Sequence, residues 1–173
     1  MSKTATYALI ESQTLGSATA TVTFSSIPGT YTDLVLICNA RSATAAISDT
    51  YLMTLNGDTG TNYSRTRLLG NGSTATSANR STAPNIDFEG MAGANASAST
   101  FMTARVQLQD YSNTTTNKTS LIRGDDANNY VLTTVGLWRS TSAITSITLV
   151  TSSGAQFATG STFRLYGIEA GNA

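Results

Sequence analysis

From one end of the chain to the other, segments recur in which apolar and polar residues alternate, the period of strands that bury one face and wet the other. In Ala18–Phe24 the residues Ala18, Ala20, Val22 and Phe24 alternate with Thr19, Thr21 and Thr23. Ala104, Val106 and Leu108 alternate with Thr103, Arg105, Gln107 and Gln109 inside 101–111, and Phe163, Leu165 and Gly167 oppose Arg164, Tyr166 and Ile168. Similar segments fall at 6–15, with Leu9 and Glu11 on one face, and at 51–55, 65–69, 85–90, 118–123, 130–138 and 144–149. Residues 33–41 hold the unbroken apolar run Leu34-Val35-Leu36-Ile37-Cys38, as a strand covered on both faces requires. About ten short strands separated by turn residues specify an all-β fold. The expected architecture is a single antiparallel β-sandwich of jelly-roll type occupying residues 1–173.

Between the strands, turn chemistry sets the expectations. Ile27-Pro28-Gly29 ends the second strand. Asn56-Gly57, the strongest short hairpin signal in the chain, predicts that 65–69 returns to pair with 51–55. Residues 70–83 contain no large hydrophobe and read as a long surface loop. Residues Ala92–Ala98 are the one stretch with room for a turn or two of helix.

Composition favours the same fold. Ser and Thr make up roughly three residues in ten, and only 12% are charged, half the usual share. Thr is β-branched and Ser competes for helical backbone bonds, so the polar faces are those of strands and turns. Ten basic and ten acidic residues cancel. That balance gives neither the basic patch that nucleic acid requires nor attraction to an anionic membrane, so neither is an expected partner. Low net charge also permits close packing in an assembly. The start of the chain, Met1-Ser2-Lys3-Thr4-Ala5, is too polar for a secretion signal, and no apolar stretch reaches membrane-spanning length. Synthesis in a cytoplasm is the expectation.

Residue chemistry argues against catalysis. Histidine is absent, which removes Ser-His-Asp, Cys-His and His-metal arrangements together. Cys38 stands alone, so it forms no internal disulfide or zinc cluster, and its apolar surroundings mark it as a small buried hydrophobe. Two carboxylates suffice for glycoside hydrolysis. Asp87 and Glu89 share one strand face, but such a pair is ordinarily solvated. Asp125-Asp126, with Asn128 and Asn129, clusters oxygen ligands without the spacing of a calcium loop. Gly70-Asn71-Gly72-Ser73 lacks the lysine and helix of a phosphate loop. The six Asn-x-Ser/Thr sequons, at Asn62, Asn71, Asn79, Asn95, Asn113 and Asn117, carry no meaning without a secretion signal. Arg65 and Arg67 share a face, as do Arg139 and Arg164 if their strands pair. They face solvent or clamp carboxylates of a neighbouring subunit. Tyr7, Tyr31, Tyr51, Tyr63, Tyr111, Tyr130, Tyr166 and Trp138 are candidates for sugar stacking, with core or rim packing the simpler expectation. No catalytic, cofactor or metal residue is therefore assigned, and the chain is not expected to be an enzyme.

Several segments resemble the small β-sandwich virion proteins of tailed bacteriophages. They are Tyr7-Ala8-Leu9-Ile10, Val22-Thr23-Phe24-Ser25-Ser26-Ile27-Pro28, Thr32-Asp33-Leu34-Val35-Leu36, Gly136-Leu137-Trp138, Ile144-Thr145-Ser146-Ile147-Thr148-Leu149 and Phe163-Arg164-Leu165-Tyr166-Gly167-Ile168. The resemblance implies a capsid decoration (cement) protein, similar to those on cyanophage-like heads. It would be a structural homo-oligomer, a trimer by preference, bound to the major capsid protein on the virion surface. Related sandwiches occur in tail fibres, and the alternative is a receptor-binding module that recognises host surface glycans.

Overall fold

The computed structural model describes residues 6–126 and 130–169. These form twelve strands and no helix: β1 (Tyr7–Thr14), β2 (Thr21–Phe24), β3 (Asp33–Ala40), β4 (Ser48–Leu55), β5 (Tyr63–Gly70), β6 (Ala75–Ala83), β7 (Ile86–Ala92), β8 (Met102–Leu108), β9 (Lys118–Asp126), β10 (Tyr130–Trp138), β11 (Ile147–Thr151) and β12 (Thr162–Ile168). All pairings between them are antiparallel. The large sheet has the order β1-β12-β3-β8-β9-β10-β5-β6, and the small sheet β2-β11-β4-β7.

Without β5, β6, β9 and β10, the remaining strands form two four-stranded sheets, β1-β12-β3-β8 and β2-β11-β4-β7. Successive strands of this set alternate between the sheets except for β4 and β7, neighbours in the small sheet, which is the jelly-roll path expected from the sequence. The other four strands are two inserted hairpins, β5–β6 and β9–β10. Both join the large sheet, where β10 pairs with β5 along its whole length, from Val131 opposite Gly70 to Trp138 opposite Tyr63. The large sheet therefore overhangs the small one on that side.

The core lies between the sheets, built from the inward residues that the alternation identified. Leu34, Leu36, Cys38, Ala104, Val106, Leu108, Phe163 and Leu165 come from the large sheet; Val22, Phe24, Tyr51, Met53, Phe88, Ile147 and Leu149 come from the small one, all buried. Tyr51 stacks on Phe88 at 4.9 Å, and Phe157 meets Phe163 edge to face at 5.2 Å. The small sheet's last strand, β7, presses close to the large sheet. A Cβ on Gly124 would lie 2.4 Å from the Glu89 carbonyl, so only glycine fits there.

The structure corrects the sequence reading in several places. Asn56-Gly57 is a true turn, with both residues at positive φ (53° and 68°). It does not form a hairpin, because β4 belongs to the small sheet and β5 to the large one. Its geometry is held by other partners: the Asn56 Oδ1 accepts from the Thr145 and Ser146 amides at 2.8 and 3.1 Å, and its Nδ2 donates to the Ala143 carbonyl at 2.7 Å. The expected loop at 70–83 contains β6, an edge strand exposed from Ala75 to Thr82. A bulge between Leu9 and Glu11 turns Glu11 away from the face that Leu9 occupies. Residues 92–98 are not helical. Arg41 gathers this segment instead, donating to the carbonyls of Ala94, Ala96 and Ser97 at 2.9 Å and of Thr100 at 3.1 Å.

Candidate functional site

The overhang creates two distinct environments. On its inner side, Arg65 and Arg67 project from β5 toward Asp87 and Glu89 on β7. Arg65 donates from Nε and Nη2 to one Asp87 oxygen at 2.9 and 2.6 Å, and Arg80 from β6 donates to the other at 2.8 Å. Arg67 pairs with Glu89. The two carboxylates do share a face, as the sequence indicates, but they are clamped by arginines of their own chain rather than solvated. The arginines expected to face solvent or a neighbouring subunit are thus satisfied internally. Burial opposes the charge on Asp87, yet hydrogen bonds and charges from Arg65 and Arg80 outweigh it and hold the carboxyl below its ordinary range. A glycosidase acid needs the opposite shift. The cluster instead closes the edge of the small sheet.

Other singled-out residues disperse. Arg164 lies on β12 and Arg139 follows β10, strands separated by β3, β8 and β9, so the two do not share a site. Arg139 donates to the Ser81 carbonyl at 2.8 Å. Asp125 and Asp126 end β9 rather than forming a turn, one exposed and one buried on opposite faces, while Asn128 and Asn129 lie outside the described residues. Asn71 Oδ1 accepts from the amides of Ser73 and Thr74 at 3.1 and 2.8 Å, taking up donors that a phosphate would need. Cys38 is fully buried and burial pushes its thiol far up, as fits a packing residue. Tyr51, Tyr63, Tyr111 and Trp138 are buried. The Trp138 indole donates to Asp58 at 2.7 Å, and Tyr63 stacks on it at 6.2 Å. These rings serve the core and the crossover from β4 to β5.

The outer face of the large sheet is the surface left without a role in the fold. Reading the registers across the strands gives ordered ranks of side chains. One rank runs Arg164, Ile37, Arg105, Arg123, Thr133, Leu68; the next runs Tyr166, Val35, Gln107, Leu121, Val135, Thr66. Leu9, Leu68, Val131 and Val135 are each more than half exposed here, with Tyr7 and Leu121 close behind. A groove of about 590 Å³ crosses β10, its apolar wall made by Leu68, Ala75 and Val131 and its polar end by Thr103, Arg105 and Arg123. Arg105 stands directly opposite Arg123, and like charges so placed repel. Among the described residues, the ion pairs are Arg65–Asp87, Arg67–Glu89 and Arg80–Asp87, none on this face. Arg105 donates instead to the Tyr7 hydroxyl at 2.7 Å, and the Tyr7 ring meets Tyr166 edge to face.

This surface was only partly legible beforehand. Alternation set Arg105, Gln107, Arg164 and Tyr166 opposite the core positions of their strands but gave no face to Leu68, Leu121, Val131 or Val135, and the convergence of all of them depends on the strand order, which the sequence does not display. No protein-family model and no curated protein matches the chain.

Proposed function

We propose that this protein is a structural component of a tailed-phage particle, a capsid decoration protein that binds the major capsid protein and reinforces the head. The supporting observation is the outer face of the large sheet. The exposed aliphatic side chains Leu68, Leu121, Val131 and Val135 flank Arg105, Arg123 and Arg164, which form no ion pair among the described residues. Contiguous exposed apolar surface on a folded domain marks an interaction site. A flat, ordered face of this kind suits a broad protein partner, which would cover Leu68, Val131 and Val135 and supply carboxylates to Arg105, Arg123 and Arg164. The resemblance of the strand segments to phage sandwich proteins supplies the identity of that partner.

The test uses virions that lack the protein. They are expected to assemble and adsorb normally but to lose DNA or rupture at a lower temperature than complete particles, with resistance restored by adding the purified protein back. Normal heat resistance combined with lost adsorption would overturn the reading and place the protein at the tail.

A further inference from the structure

Four strands form the sheet edges, and three of them are blunted. β2 has four residues, β1 carries a bulge, and β7 is closed over by Arg65, Arg67 and Arg80. β6 is different. It is nine residues long and exposed from Ala75 to Thr82; it contains no proline or lysine, its one charge, Arg80, is drawn to Asp87 of its own chain, and its bulge lies beyond Arg80, leaving Ala75–Arg80 regular. Its outer side carries backbone donors and acceptors that another strand can pair with.

The sequence of β6 indicates which strand. Ala75-Thr76-Ser77-Ala78-Asn79-Arg80-Ser81-Thr82-Ala83 reads almost the same in both directions about Asn79. We infer that β6 pairs antiparallel with β6 of a second copy of this chain, on a two-fold axis at Asn79, joining two large sheets into one. In a two-fold strand pair one residue must face itself, and the contact is isologous. With Asn79 on the axis, Ser77 meets Ser81, and the Thr and Ala positions of the palindrome follow beyond the bulge at Ser81–Thr82. Hydroxyls therefore face hydroxyls, a favourable cross-strand match, and small residues face small ones. The one departure from the palindrome sets Arg80 opposite Ala78, so no like charges are directly opposed. Each Arg80 is already drawn to Asp87 of its own chain at 2.8 Å. The register between β5 and β6 is regular from Ala75 to Arg80 and shifts only beyond it, so the central residues Ala78–Arg80 lie in undistorted ladder. The contact arises from β6 itself and is independent of which particle, if any, the protein joins.

The experiment measures mass by sedimentation of the purified protein at micromolar concentration, where a two-chain species is expected. Asn79→Lys and Asn79→Glu, each alone, place like charges face to face on the axis and should give single chains. An equal mixture of the two variants should recover the two-chain mass, because Lys then faces Glu. Asn79→Cys should form a disulfide-linked pair under mild oxidation, whereas Ser77→Cys, whose partner is Ser81, should not. Cys38 is buried and does not compete. A one-chain or three-chain mass for the unmodified protein, no recovery in the mixture, or equal linking at positions 77 and 79 would overturn the inference.

Discussion

Replacing Asp87 with alanine tests how the overhang is fastened to the rest of the sandwich. The carboxylate accepts three hydrogen bonds from two arginines, and the Arg65 side chain is only 7% exposed. Removing the carboxylate strands a buried guanidinium, a change that typically costs about 3–5 kcal/mol. For a chain of this size that corresponds to a fall in Tm of roughly 10 °C or more. Arg80→Ala removes the half-exposed partner and should cost no more than about 1 kcal/mol, since solvent screens that contact. Thermal and urea unfolding of both variants supply the comparison. The acid limb gives a second readout. The folded-state pKa of Asp87 is lowered, so its contribution is complete above the unfolded value of about 4 and drains away as pH falls from there through the lower folded-state value. Asp87→Ala should therefore lose stability less steeply than the unmodified protein below about pH 4. If Asp87→Ala and Arg80→Ala prove equally mild, Arg65 is finding water and the burial argument fails.

Cys38→Ala should lower stability by about 1 kcal/mol or slightly more through lost packing, and the native thiol should label with Ellman's reagent only as fast as the protein unfolds. Arg41→Ala removes four bonds to the carbonyls of residues 94–100, so hydrogen exchange should rise across that segment while Leu36 and Val106 in the core remain protected.

How far the sequence revealed these features depended on whether each was local. Strands with one buried face announced themselves through alternation where their inward residues are apolar, as in β2, β8 and β12, and less so in β9, which buries Lys118, Ser120 and Asp126. β6 was silent for the converse reason: nearly every residue of an exposed edge strand is wet on both faces, so Ala75–Thr82 needed only backbone pairing and displayed no period. Asn56-Gly57 revealed its backbone conformation but not its destination, which is decided by Asn56 binding the 143–146 segment. The pairing of Arg65 with Asp87 joins an inserted hairpin to the opposite sheet, and no local pattern encodes that. The outer face was legible at Arg105, Gln107, Arg164 and Tyr166 and invisible as a surface until strand order assembled it.

The central position of β12 has a consequence for how the molecule is made. β12 lies between β1 and β3 and is the strand that pairs with β1 among the described residues, yet it follows both far along the chain. At about 5–20 residues per second, β1 and one side of β3 wait many seconds on the ribosome before their partner emerges. The β9–β10 hairpin can close during that interval, whereas the sandwich itself cannot. Closure of that side of the large sheet therefore waits for β12, and a product truncated before Thr162 leaves β1 without its partner and β3 paired only with β8, an exposed edge prone to aggregate.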